Sequence, residues 1–343
     1  METQRSVLEA LREAVRGPGW APGRRPGGGH MPPLDGATAW LNSPPLTTAE
    51  LRGHVVAVDF WTLTCINWLR TAPYRRAWAD AYRDAGLVVL GVHTPEFGFE
   101  HDVATVRRAV AERRITHPVA VDSDYAIWTA FANMYWPALY LVDAAGSIRH
   151  TQFGEGGYEE SEQVIRALLG EAGAGDRLPD PVTVDASGIE AAADWADLRS
   201  GENYLGAGRT DGFVSPEGMR SGSFTTPARL GRNTWALDGR WTVLPDAVRL
   251  DEAGGHLTYR FAARDLHLVL TPPSSGAPVP FTVRLDGQPP GTDAGDDVAD
   301  DGTGTVAEPR LHQLVRQGGP VEDRTFEIAF AAPGVQAYAV TFG

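Results

Sequence analysis

The feature that most constrains the fold is a change of hydrophobic period near residue 198. From about residue 37 to 173, short apolar runs alternate with stretches whose apolar residues recur at helical spacing. Beyond the change, apolar and polar residues alternate, as in Leu257, Tyr259 and Phe261, or Phe326, Ile328 and Phe330. Helical spacing buries one face of a helix, whereas strict alternation buries one face of a strand. The first part therefore reads as an α/β sheet covered by helices on both faces. The second reads as an antiparallel sandwich or jelly roll whose short strands are separated by Gly, Pro and Asp turns. A chain of 343 residues is also too long for one ordinary core.

Within this frame, residues 5–15 form an amphipathic helix and 17–33 a Gly/Pro/Arg-rich arm, giving an N-terminal extension over 1–34. Residues 35–173 form the α/β domain, with strands expected at 55–60, 87–93, 119–122, 138–143 and 147–153. Helices are expected at 66–85, 101–114, 125–134 and 159–172. Residues 174–198 read as a linker and 199–343 as the sandwich, with no internal repeat.

Composition removes several function classes. The net charge of -14 argues against a nucleic-acid partner, because phosphate binding needs a basic face. No lysine occurs, so Schiff-base chemistry and the lysine-dependent phosphate loop are excluded. The single cysteine, Cys65, rules out an internal disulfide and a cysteine-rich zinc site. No apolar run is long enough to span a bilayer, and residues 1–15 carry charges throughout, unlike a signal peptide. The expectation is a cytoplasmic protein with no membrane partner, no metal and no cofactor.

Cys65 ends the loop after an apolar strand and precedes a helix. A thiol there meets the positive end of the helix dipole and unpaired backbone amides, and both stabilise the nucleophilic thiolate. Pro73 lies inside the helix, where it removes one backbone hydrogen bond and bends the axis. Asp59 ends the strand run, and a buried carboxylate of raised pKa there would accept a proton from a nearby sulfur. Trp136-Pro137 precedes a further apolar strand. A cis bond at that point would carry its backbone alongside the sulfur, ready to pair with an extended substrate.

At these residues a resemblance emerges. Asp59 six positions before Cys65, Trp61 four before it, Pro73 eight after it and the later Trp136-Pro137 resemble the thioredoxin superfamily. More narrowly, Trp40-Leu41-Asn42-Ser43, Val58-Asp59-Phe60-Trp61-Thr62, Cys65-Ile66-Asn67, Gly91-Val92-His93-Thr94-Pro95-Glu96-Phe97 and Tyr135-Trp136-Pro137-Ala138 resemble DipZ-type proteins, relatives of the TlpA-like redoxins. Tyr204-Leu205-Gly206, the run from Trp235 to Trp241 and the closing run from Ala337 to Gly343 resemble the same group. The resemblance implies a thioredoxin-like domain followed by a carbohydrate-binding-module-like sandwich, and thiol–disulfide exchange through a Cys-Ile-Asn-Cys pair. Trp68 stands where the second cysteine of that pair would be. Cys65, Asp59, Trp136 and Pro137 become the candidate catalytic residues. Trp61, Thr62, Asn67, Trp68 and Glu96 become the candidate substrate-binding ones.

Several readings compete for one sulfur. Cys65 is either an inert buried thiol or a nucleophile resolved by an external thiol. As a nucleophile it forms a mixed disulfide with a small thiol or a protein, reduces a peroxide through sulfenic acid, or traps a partner. The spacing of Thr62 and Cys65 resembles that of peroxiredoxins, but Val58 occupies the place of their proline. Asp59 alternatively caps buried backbone, Trp68 packs over the sulfur, Glu96 is an exposed loop acid and His93 a core histidine. The leading expectation is a single-cysteine oxidoreductase. The alternative is a redox-inactive scaffold whose sandwich binds a protein or a carbohydrate, with Tyr204, Trp235 and Trp241 as a stacking platform. Asp297, Asp301, Gly302 and Glu308 fall at calcium-loop spacing, but Ala299 breaks it and a solvated loop is the simpler reading.

Overall fold

The structure is a computed structural model that describes residues 29–343. The described residues divide into two compact units between Ala191 and Ala192. The helix and most of the arm expected before Gly29 lie outside the described residues.

The first unit is built on a six-stranded sheet. Its elements are β1 (Ala39–Leu41), β2 (Val55–Trp61), α1 (Ile66–Ala81), β3 (Leu87–His93), α2 (Val103–Glu112), β4 (Val119–Val121), α3 (Ala126–Ala130), β5 (Ala138–Val142), β6 (Ile148–Phe153) and α4 (Tyr158–Glu171). The strand order is β1-β4-β3-β2-β5-β6, with β2, β3 and β4 parallel and the other pairings antiparallel. Every residue of β2 is buried, as a strand covered on both faces must be. Val56, Val58 and Phe60 face a cluster that includes Ile127 and Phe131. Val55 and Ala57 face the opposite one, against Trp78 and Tyr82 from the α1 side and Ile165 and Leu168 of α4. By the same alternation Asp59 and Trp61 turn toward α1.

Three expected helices are shorter than their patterns, the one over 101–114 being α-helical only over Val103–Glu112. The first ends at Ala81, where Tyr82 and Gly86 (φ 104°) begin the turn into β3. The stretch expected over 125–134 is helical only over Ala126–Ala130. Ala132 takes a left-handed φ of 50°, and a cis bond follows at Trp136-Pro137. An apolar pattern records burial and says nothing of such a reversal. The expected linker is tied down as far as the unit boundary. Arg76 makes a two-pronged pair with Glu190 at 2.7 and 2.9 Å, and Glu162 accepts from the Val182 N–H at 2.7 Å. The described end of the arm also pairs with the β5–β6 turn, through Met31 N–H to Gly146 O and Ile148 N–H to Gly29 O.

The second unit holds eleven strands, all antiparallel: β7 (Asn203–Tyr204), β8 (Gly222–Phe224), β9 (Thr234–Val243), β10 (Val248–Leu250), β11 (His256–Ala262), β12 (Asp265–Thr271), β13 (Val279–Leu285), β14 (Thr303–Val306), β15 (Arg310–Arg316), β16 (Asp323–Phe330) and β17 (Gln336–Phe342). One curled sheet runs β14-β13-β16-β11-β9-β10-β17-β12-β15, with β7 on β17 and β8 on β9. Strand β9 joins the two halves: residues 234–238 pair with β11, and residues 241–243 with β10. Gly239 makes the corner at φ 87°, and a Cβ there would come 3.0 Å from the Gly255 Cα. The alternating apolar residues of both halves fill one core, including Trp235, Trp241, Leu257, Phe281 and Phe330.

Candidate active site around Cys65

The site lies at the carboxyl ends of the parallel strands, where open α/β sheets place their ligands. Strand β2 runs into the turn Thr62–Cys65, closed by a bond from the Cys65 N–H to the Thr62 carbonyl at 3.3 Å. Cys65 is the N-cap of α1, with extended dihedrals (φ -74°, ψ 109°) and a carbonyl that accepts from the Leu69 N–H. The residue is half-buried. α1 then continues through Pro73, whose missing N–H leaves the Leu69 carbonyl without its helical partner.

Trp68, one turn along α1, is 2 % exposed and stacks on Trp61 with centroids 4.3 Å apart and planes 20° apart. Its Nε1–H donates to Asp59 Oδ2 at 2.9 Å. Arg75 lies seven residues further along the helix, on the same face, and its Nε donates to Asp59 Oδ1 at 2.9 Å. All three side chains are buried, so each carboxylate oxygen has a donor inside the core. Asp59 is therefore the acceptor of a closed bond network rather than an unengaged base. The other edge of Trp61 meets the His93 ring at 4.7 Å. Gly91, the register partner of Asp59, makes room for that indole, since a Cβ there would lie 3.0 Å from Trp61 Nε1. His93 is wholly buried, and desolvation lowers its pKa to about 3.

Opposite this loop, Ala138 pairs with Phe60, which places cis-Pro137 beside the end of β2 and its turn to Cys65. Trp136 is half-buried against Trp128 at 4.3 Å, while Met134 and Tyr135 before it are exposed. Asn67 and Glu96 are half-exposed, whereas Trp61, Thr62 and Trp68 are buried. These last three form a floor beneath Cys65, because the stack and the Asp59 bond hold the indoles inside.

The chain is 36% identical over 142 residues to the thiol–disulfide oxidoreductase YkuV of Bacillus subtilis, covering 95% of that protein and 41% of this chain. The chain belongs to the thioredoxin superfamily. It is also 35% identical over 320 residues to protein DipZ of Mycobacterium tuberculosis, a match that spans 92% of this chain and 43% of DipZ. A family described as "Thioredoxin like C-terminal domain" matches residues 200–343. A thioredoxin-like protein solved in solution in its oxidised form is 35% identical, with a TM-score of 0.39, over 42% of this chain and 97% of its own. In this member Cys65 stands at the start of a helix, a cis bond precedes Pro137, and an indole is bonded to Asp59.

Sequence reasoning passed over two residues here. Arg75 falls seven positions after Trp68, and this spacing signals a shared helix face once Asp59 is known to point at it. Glu100 carries a local signal only for the Glu96 and Phe97 N–H groups just before it, and none for Thr64, which lies 36 residues away. The carboxylate is fully buried and accepts from the Thr64 hydroxyl at 2.7 Å, the Thr64 N–H at 3.3 Å, the Glu96 N–H at 2.6 Å and the Phe97 N–H at 2.9 Å.

The sandwich corrects the proposed stacking platform. Trp235 and Trp241 are completely buried, with Nε1–H groups bonded to the Asp211 and Asp238 carbonyls, so neither ring can face a sugar. Tyr204 is covered by the Arg209 guanidinium at 3.4 Å. In the acidic loop, Asp297 is clamped by Arg310 at 2.6 and 2.9 Å and Asp301 holds Thr303, so these carboxylates do not converge.

Proposed function

We propose that this protein is a thiol–disulfide oxidoreductase that works through Cys65 alone. The observation that carries the reading is a half-buried cysteine at the N-cap of α1 whose would-be resolving position holds a buried, bonded indole. The Cys65 thiolate attacks one sulfur of a substrate disulfide, forms a mixed disulfide and releases the other sulfur as thiolate. A second thiol from outside the chain then attacks the mixed disulfide, takes the substrate sulfur and returns Cys65 as thiolate. That thiol is either a low-molecular-weight compound or a partner protein. The amide ends of α1 stabilise the thiolate, and the backbone at Trp136-Pro137 aligns an extended substrate. Asn67 and Glu96 rim the sulfur. Trp61, Trp68 and Asp59 act as the rigid support of the loop, with Thr62 in its turn. This chemistry suits a reducing compartment, where external thiols are abundant.

The reading is tested by intact mass after exposure to a small-thiol disulfide, comparing wild type with Cys65→Ser. The folded wild type is expected to take up one adduct, to release it to added thiol, and to lose the reaction in the variant. Uptake only after denaturation overturns it.

A further inference from the structure

We propose that Glu100 is a positioning residue for Cys65, whose buried carboxylate clamps the Thr64–Cys65 turn to the Pro95–Phe97 loop and raises the thiol's ionisation midpoint by its charge. This rests on the reading of Cys65 as the nucleophile.

Two donors from Thr64 converge on Glu100 Oε1, and two N–H groups, from Glu96 and Phe97, converge on Oε2. The acceptor-only, ionised carboxyl satisfies all four, whereas a proton on either oxygen would oppose a donor. Complete burial works against the charge and raises the Glu100 pKa, while the bonds from Thr64, Phe97 and Glu96 lower it in part. The clamp thus sets a negative charge in a dry site one residue from Cys65, opposite in effect to the α1 amides. Few other titratable groups face it. Glu96 and His101 lie on its own segment. From the loop after β4, Tyr125 bonds the Pro95 carbonyl and has its pKa pushed up to about 12, by burial and then by Glu100, Glu96 and Asp122. Asp122, also raised by burial, is held by the Ile127 and Trp128 N–H groups and by Thr94.

The experiment is the pH dependence of Cys65 alkylation by iodoacetamide in wild type, Glu100→Gln and Leu168→Ala. Leu168 lies in α4, in the core cluster that covers Val55 and Ala57 near the start of β2 and includes no residue of the clamp, and its truncation controls for lost stability alone. Glu100→Gln keeps the side chain's length but not its charge, and is expected to lower the alkylation midpoint by about 0.5 to 1 unit. Leu168→Ala is expected to leave the midpoint in place. A folded Glu100→Gln with the wild-type midpoint, or an equal shift in Leu168→Ala, overturns the positioning role and leaves the proposed function standing. A wild-type cysteine that ignores iodoacetamide while folded overturns both. If Glu100→Gln does not fold, the wild-type amide resonances of Thr64, Glu96 and Phe97 decide. They are expected to shift together at the Cys65 midpoint, and signals that stay fixed through it overturn the proposal.

Discussion

Trp68 Nε1–H points at Asp59 Oδ2 across 2.9 Å, a hydrogen bond between two side chains that are both buried. Arg75 occupies the other oxygen of the same carboxylate. Together they make Asp59 a buried tether between β2 and α1. Four predictions follow from this arrangement and from the histidine beside it.

Trp68→Phe keeps the ring over Trp61 but withdraws the N–H from a buried carboxylate. The α/β unit is expected to lose about 1–3 kcal/mol, since the unmet acceptor is charged. Urea unfolding monitored on this unit measures the loss, and an unchanged midpoint would show that the bond contributes nothing.

Arg75→Met strands Asp59 in the core and is expected to cost about 3–5 kcal/mol. Adding Asp59→Asn removes the second charge while leaving an acceptor for Trp68. The double variant should be the more stable of the two by about 2 kcal/mol, as replaced buried ion pairs often are. Thermal melts of both variants against wild type read the difference.

Trp68→Cys returns a second thiol three residues after the first. Oxidation is expected to join Cys65 and the new cysteine in a disulfide, seen as the loss of two hydrogens in the intact mass. Mixed disulfides at Cys65 should then be short-lived, because an internal thiol resolves them. The missing indole leaves a cavity costing about 3–5 kcal/mol, so the measurement belongs well below the melting point. Two thiols that stay free under oxidant in the folded variant would show that the loop has left dithiol geometry.

His93 links stability to pH. Its folded pKa of about 3 lies below the ordinary histidine value of 6.5, so the unfolded chain binds more protons between those values. Stability from the neutral imidazole is therefore complete above the unfolded pKa and declines as pH falls toward the folded one. Between pH ~7.5 and ~5.5 this residue alone should remove about 1.4 kcal/mol. His117, lowered to about 4 by burial and by Arg75 and Arg76, adds a loss of the same sign. His93→Leu should flatten the slope by about half a proton on average in unfolding experiments across that range; an unchanged slope would show that His93 is not its source.

Much of the architecture was legible in advance because burial leaves a period in the chain. The alternation of Leu257, Tyr259 and Phe261 needs no partner to be recognised, and these residues do face the sandwich core. The apolar stretch over 87–93 is a strand at those same residues. The stretch over 125–134 was less legible, since its apolar residues are compatible with a helix until Ala132 turns left-handed. In the site, Cys65 before a helix and Trp136 before Pro137 could be picked out one residue at a time. Glu100 could not, because nothing near it in the chain reveals that Thr64, 36 residues earlier, shares its carboxylate with Phe97.

By itself the sequence determined that only one thiol exists, that it precedes a helix, and that an indole follows three residues later. Those are facts of order along a chain, and they suffice to exclude an internal disulfide. Tertiary structure alone decided where the indole's N–H goes, which arginine neutralises Asp59 and which carboxylate grips the turn before the sulfur. The reason is physical: a hydrogen bond between side chains depends on where folding carries two atoms, and residues 59, 68 and 75 meet only after β2 has packed beneath α1.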